Sequence, residues 1–202
     1  QQPLNTLPLH EIGDGRDVLT SVSPGEELWV IARLPRTDAP AAREDTPGSG
    51  ALVTKLDGRE DEVPLPLKHT DVQATLEGYI ASVRVRQEFH NPFSSKIEAS
   101  YVFPLPQNAA VHDFIMTIGD RRIRGIIRDR QEAESIYRAA RSQGHVASLL
   151  TQERPNIFTQ RVANIEPGKR VDVEIEYFNT MAYLEGWYHF VFPMVVGPRD
   201  NP

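Results

Sequence analysis

Val171-Asp-Val-Glu-Ile-Glu-Tyr177 alternates apolar and acidic side chains without a break. In an extended chain successive side chains point to opposite faces, so Val171, Val173, Ile175 and Tyr177 share one face, while Asp172, Glu174 and Glu176 share the other. Such a strand belongs to a sheet that is buried on one side and wet on the other. Just before it, Glu166-Pro-Gly-Lys169 places Pro and Gly at the two central positions of a type II turn. The strand is therefore the second arm of a hairpin whose first arm covers about 157–164.

The same period extends through most of the preceding hundred residues. Val72-Gln-Ala-Thr-Leu76 alternates, and Ile80, Val83, Val85 and Phe89 continue the pattern after Gly78, with one slip near Ala81-Ser82 that reads as a bulge. Asn91-Pro92 ends that run as a turn. Glu98 to Phe103 forms a further strand, closed by Pro104 and Pro106. Residues 111–118 and 122–128 flank Gly119-Asp120 as a hairpin. Strands are also expected over 145–151 and 187–192. One helix interrupts them. Asp129 is an N-cap with Glu132 three positions on, and Ala133, Ile136, Tyr137 and Ala140 fall on one face. The spacing predicts a helix over about 130–142, stopped by Gly144. Many strands, short turns and one amphipathic helix predict a mainly β, antiparallel sandwich.

The first third differs in composition. Residues 1–70 hold 7 Lys/Arg against 12 Asp/Glu, and the remaining 132 residues are nearly balanced, within a formal net charge of -6. Turn-forming residues crowd Pro35 to Gly50, which is expected to be a mobile loop. The runs on either side, Glu27 to Leu34 and Ala51 to Leu56, are expected to form a pair of strands. Val63-Pro-Leu-Pro-Leu67 marks a boundary, because each proline fixes an extended path. Residues 1–66 are thus an acidic β-rich extension, able to add strands to the sandwich or to cover one of its edges.

Several ordered motifs now point to a family. Asp129-Arg-Gln-Glu-Ala-Glu-Ser-Ile-Tyr-Arg-Ala-Ala140 is followed by Gln143-Gly144, Ala147-Ser-Leu-Leu150, Gln152-Glu-Arg-Pro-Asn-Ile-Phe158 and Val162-Ala-Asn-Ile-Glu-Pro-Gly168. Upstream stand Phe89-His-Asn-Pro92 and Tyr101-Val-Phe-Pro-Leu-Pro106, and Phe192-Pro-Met-Val-Val-Gly-Pro-Arg199 closes the series. The series resembles the VIT domain shared by vault-associated proteins and inter-alpha-trypsin inhibitor heavy chains, over residues 67–199. The matching positions are Asp129, Glu132, Ala133, Tyr137, Gln152, Glu153, Arg154, Pro155, Asn156, Phe158, Asn164, Pro167, Gly168 and Tyr177. Each also has a plain reading as a turn, cap or packing residue, and that reading is favoured. The resemblance implies a following von Willebrand factor A domain, a protein partner, and an exported location: secreted, periplasmic or on a bacterial cell surface. Gln1 in place of Met, with no basic-then-apolar leader behind it, implies that the natural gene product is longer.

The chemistry-bearing residues form no catalytic pattern. With no cysteine, disulfides and thiolate chemistry are excluded. His10, His69, His90, His112, His145 and His189 lack metal-ligand spacing, and His112 and Asp113, adjacent in a strand, are expected on opposite faces. No Gly-x-Ser-x-Gly occurs, and Gly13-Asp-Gly15 lacks the Lys-Ser/Thr of a phosphate loop. Glu132 and Glu134 point in different directions on their helix. Asp172, Glu174 and Glu176 are expected to face water or to pair with arginines of a neighbouring strand, in preference to holding a cation. No metal or cofactor is implied. The acidic balance argues against nucleic acid, and no apolar run reaches membrane-spanning length.

One basic cluster stands out: Arg121, Arg122, Arg124, Arg128, Arg130, Arg138 and Arg141. It either meets an acidic partner, this chain's own acidic N-terminal segment among the candidates, or forms ordinary ion pairs with Glu132, Glu134 and their neighbours. The leading functional expectation is a non-catalytic interaction or scaffold module. The alternative is a carbohydrate-binding sandwich stacking sugars on Trp29, Tyr183, Trp187 or Tyr188, with at least one of Trp187 and Tyr188 expected in the core. An enzyme of unknown type ranks third.

Overall fold

The computed structural model describes residues 19, 22–33, 50–56, 61–106, 109–151 and 157–192. They form β1 (Glu27–Ala32), β2 (Ala51–Lys55), β3 (Glu62–Pro64), β4 (Leu67–Glu77), β5 (Ile80–His90), β6 (Ile97–Pro104), β7 (Ala110–Ile118), β8 (Arg121–Arg128), α1 (Arg130–Ser142), β9 (Ala147–Thr151), β10 (Ile157–Ile165), β11 (Arg170–Thr180), β12 (Ala182–Leu184) and β13 (Trp187–His189). Among the described residues the fold is mainly β, with α1 its one complete helix. A seven-stranded sheet in the order β4-β5-β11-β7-β8-β1-β9 faces a four-stranded sheet, β10-β6-β2-β3, and β12-β13 stands apart as a small hairpin.

The alternating stretch Val171–Tyr177 lies in β11, with Val171, Val173, Ile175 and Tyr177 inside the sandwich. Opposite them lie Ala99, Tyr101, Phe103, Phe158 and Val162 of the smaller sheet. Aromatic pairs bridge the two layers: Phe114 and Phe158 lie 4.7 Å apart between ring centroids, Phe103 and Tyr177 6.0 Å. A buried polar link also crosses them. The Tyr101 hydroxyl donates to Gln87 Oε1 (2.8 Å), and Gln87 Nε2 donates to the Gly50 carbonyl (3.0 Å). Burial pushes the Tyr177 hydroxyl up to about 12 and that of Tyr101 further still.

The expected pairing of the two N-terminal strands is corrected. β1 and β2 lie in different sheets. β2 pairs with β3 and β6, whereas β1 runs parallel to both β8 and β9 and sits between them. The seven-stranded sheet is therefore mixed, and β8-α1-β9 is a crossover unit with β1 inserted at its centre. A strand buried on both faces needs a continuous apolar run, not an alternating one. Leu28-Trp-Val-Ile-Ala32 supplies it: Trp29 and Ile31 join the sandwich core, while Leu28, Val30 and Ala32 pack with Ile126 under Ala133, Ile136 and Ala140 of α1.

The helix has the expected bounds. Asp129 accepts from the Glu132 N–H (2.9 Å), and Gly144, at φ +83°, turns the chain out of the helix. Other local readings change. The expected hairpin of residues 157–164 with the Val171–Tyr177 strand is corrected: β10 pairs with β6 in the smaller sheet and β11 with β5 and β7 in the larger, so the Pro167-Gly168 turn carries the chain from one sheet to the other. The register of β5 runs unbroken past Ala81-Ser82, so no bulge lies there; Ile80 simply faces outward, and the irregularity sits between Leu67 and His69. β13 ends at His189, short of the expected 192. The mobile-loop reading of Pro35 to Ser49 lies outside the described residues.

Candidate interaction surface

Three exposed features compete as a functional surface: the arginine cluster, the charged outer face of the large sheet, and the β12-β13 hairpin. The first is largely satisfied from within. Arg121 donates through Nε and Nη2 to the Glu27 carboxylate, the second bond at 2.8 Å, and through Nη1 to the Ala163 carbonyl (2.9 Å). Arg122 and Arg124 converge on Glu26, whose side chain is only 1% exposed, with Arg124 Nε at 3.1 Å from Oε2. The first half of the cluster thus holds the acidic segment that leads into β1. The second half stays on its own helix: Arg128 pairs with Glu132 (3.0 Å), Arg130 and Arg138 with Glu134 (3.9 and 3.2 Å), and Arg141 lies 5.8 Å from the Tyr137 ring centre.

Glu26 is the most constrained ionisable group here. Burial alone raises its carboxyl. Hydrogen bonds from the Ser23 N–H, Arg122 and Arg124 outweigh that and hold it below the ordinary carboxylate value. Sequence reasoning named Arg121, Arg122 and Arg124 but not Glu26 or Glu27. Two acids directly before an apolar strand were the available signal.

The outer face of β5, β11 and β7 is a lattice of charges. Arg84 meets Glu176 (3.1 Å), Arg86 meets Glu174 (3.3 Å), and Arg170 meets Asp172 (2.6 Å) and Glu88 (3.3 Å). The acidic side of β11 is therefore matched by arginines, largely those of the neighbouring β5. Arg86, Arg122, Arg170, Glu88 and Glu174 line a shallow concavity of ≈ 360 Å³. His112 and Asp113 also belong to this face, against expectation. The β7–β11 register shifts, with Tyr177 opposite Val111 and Glu176 opposite Asp113. A bulge of this kind sets two consecutive residues against one, so both point outward. Asp113 then binds Arg124 (3.1 Å), and the His112 ring lies against Phe178 at 5.5 Å. No group of three or more His, Asp or Glu able to hold a metal occurs among the described residues, and no described helix is long and apolar enough to cross a membrane.

The β12-β13 hairpin is the apolar exception. Tyr183 opposes Tyr188, their rings 5.0 Å apart, and Leu184 opposes Trp187. Side chains alternate along each strand, so the tyrosines occupy one face of the hairpin, Leu184 and Trp187 the other. All are exposed, Trp187 by 75%. The expected core placement of Trp187 or Tyr188 is corrected, while Trp29, the other candidate sugar stacker, is buried in β1.

The described motif positions occupy turns, caps and packing sites. Asn91, from Phe89-His-Asn-Pro92, is fully buried. Its Nδ2 donates to the Ser95 and Ile165 carbonyls (both 3.0 Å), and its Oδ1 accepts from the Phe93 N–H (2.9 Å). Asn164 sits in the left-handed region, φ +63°, within a β10 bulge. Gly168 has φ +69° in the β10–β11 turn, and Lys169 N–H closes that turn on Glu166 O at 3.2 Å. Ala133, Phe158 and Tyr177 are buried and Tyr137 half-buried. Gln152, Glu153, Arg154, Pro155 and Asn156 lie outside the described residues, as does the closing segment from Pro193 onward.

Two packed sheets with ion-paired outer strands, one covering helix and an apolar hairpin left in water define a β-sandwich module. The profile of the Vault protein inter-alpha-trypsin domain, VIT, matches residues 67–177, and the chain belongs to that family. Similar proteins include the mono-ADP-ribosyltransferase PARP4 of Mus musculus, 36% identical over 67% of this chain and 7% of the relative. The von Willebrand factor A domain-containing protein 5A of Rattus norvegicus is 30% identical over 71% of this chain and 18% of the relative. Inter-alpha-trypsin inhibitor heavy chain H2 of Homo sapiens is 23% identical over 52% of this chain and 11% of the relative. The chain thus spans under a fifth of each of these three relatives. The family occurs in proteins named for von Willebrand factor A domains and in one named as an enzyme. A bacterial cell-envelope location finds no support among these mammalian relatives.

Proposed function

We propose that the chain is a non-catalytic protein-interaction module that positions a von Willebrand factor A domain following it in the full-length protein. In this reading residues 67–199 are the VIT domain proper, and residues 1–66 are an extension lending β1, β2 and β3 to its sheets. The observation that carries it is the β12-β13 hairpin, which presents Tyr183 and Tyr188 on one face and Leu184 and Trp187 on the other. A hairpin apolar on both faces is suited to being enclosed by another protein surface, since exposed aromatic patches of this kind mark association sites. The names of the relatives supply the expected neighbour, and an exported location rests on the resemblance to the heavy-chain family.

The test uses a Trp29→Phe background, which leaves Trp187 as the sole tryptophan of these 202 residues, with any tryptophan of the following domain also replaced by Phe. Acrylamide should quench Trp187 freely in the present chain and several-fold less in a chain extended through the following domain. Equal quenching in both ends this reading. An upstream signal peptide in the full gene product tests the location.

Carbohydrate binding is the second reading, favoured by three exposed aromatics on one hairpin. Sugar stacking needs them on a common face, however, and Trp187 is turned away from Tyr183 and Tyr188. Glycan binding that is lost in Trp187→Ala with the fold intact would support it.

A further inference from the structure

Strand β4 closes the large sheet, and among the described residues it pairs only with β5. Among the described residues nothing pairs with its other edge anywhere along the strand, and nearly every residue of it is exposed. Natural edge strands are normally blunted by proline, inward-pointing charge or a bulge, because free N–H and C=O groups are a template for another strand. β4 has prolines only before it, at Pro64 and Pro66, and a bulge only near Lys68. From His69 to Glu77 it is regular. Its inner side carries Thr70, Val72, Ala74 and Leu76, with Leu76 51% exposed.

The hairpin fixes which groups are free. Gly78 and Tyr79 form a two-residue loop, with Glu77 opposite Ile80. The pair flanking such a loop is hydrogen-bonded, and bonding alternates from there. His69, Asp71, Gln73, Thr75 and Glu77 therefore bond to β5. Thr70, Val72, Ala74 and Leu76 direct their N–H and C=O groups to the open edge.

We propose that β4 pairs antiparallel with β4 of a second copy about a two-fold axis normal to the sheet, with Gln73 opposite Gln73 of the second copy. Charge selects this register. Like-numbered parity is required for both sheets to keep one face inward. Gln73 at the centre sets His69 opposite Glu77 of the second copy, Asp71 opposite Thr75 and Val72 opposite Ala74. Centring on Ala74 would oppose Asp71 to Glu77, and centring on Asp71 would oppose it to its own copy; both bring like charges together. Centring on Val72 would carry the pairing through the irregularity at Lys68 and set Leu67 against Glu77. The favoured register also lays Val72 and Leu76 of each copy beside the same apolar stripe of the other.

The absence of cysteine makes the test direct. Gln73 and its counterpart form a non-hydrogen-bonded pair, with Cα atoms about 4.5 Å apart, within disulfide range. Gln73→Cys should oxidise to a covalent dimer. Asp71→Cys alone should not, whereas a mixture of Asp71→Cys with Thr75→Cys should give the heterodimer. Sedimentation equilibrium of the unmodified chain should show a reversible dimer, and Glu77→Lys should weaken it about tenfold or more, equivalent to ~1.4 kcal/mol. An unmodified chain that sediments as a monomer at every concentration overturns the proposal. So does equal cross-linking of Gln73→Cys and Asp71→Cys, or a dimer indifferent to Glu77→Lys.

Discussion

Arg124 Nε donates to Glu26 Oε2 at 3.1 Å, joining residues 98 positions apart. This contact aligns the start of β1 with β8, and Arg122 reaches the same carboxylate. Glu26→Gln should therefore destabilise the chain by about 1.5–3 kcal/mol near neutral pH, the usual range for a hydrogen bond to a charged group. The lowered Glu26 value sets the sign with pH. Its stabilisation is complete above the ordinary carboxyl range and is lost as pH falls through the folded value. Urea denaturation over a pH series should show the gap between wild type and Glu26→Gln closing in acid.

Asn91→Ala removes three hydrogen bonds from a fully buried site at once. The Ile165 and Ser95 carbonyls and the Phe93 N–H would lose their partner, at a cost of about 2–3 kcal/mol. Because Asn91 ties β5 to the end of β10, hydrogen exchange should quicken at the β10–β11 turn as well as near residue 93.

Gly125 in β8 lies directly against Phe114, its cross-strand neighbour. A Cβ built there falls 2.7 Å from Phe114 Cδ1. Gly125→Ala should destabilise by about 1–3 kcal/mol through overpacking. Phe114→Leu costs stability by itself, but in the double mutant it should recover part of the Gly125→Ala loss, as a thermal-melt double-mutant cycle would show.

Alkali should unfold the sandwich in a range set by its buried tyrosines. Tyr177 is pushed up to about 12, by burial. A raised phenol value means that stability is present below the unfolded value, about 10, and is lost as pH climbs toward the folded one. Tyr177→Phe should flatten the alkaline limb of the stability curve, followed by circular dichroism between pH 9 and 12 in that variant and in wild type. An unchanged limb would show that Tyr177 does not control it.

What local chemistry governs could be read directly. Val171 to Tyr177 had one compatible period, Asp129 and Gly144 bracketed one helix, and Pro167-Gly168 permitted one turn, because caps, turns and alternation depend on residues a few positions apart. The arginine cluster was visible for the same reason, as a local excess of charge.

The partners of that cluster and the place of β1 were decided by the tertiary structure alone. Leu28-Trp-Val-Ile-Ala32 announced a strand, but nothing nearby said that it enters between β8 and β9 beneath a helix a hundred residues later. The His112 bulge follows from its register with β11, and the exposure of Trp187 from the absence of any described layer over its hairpin. Periodicity tells which face of a strand is apolar; only the packing of distant segments determines what, if anything, covers it.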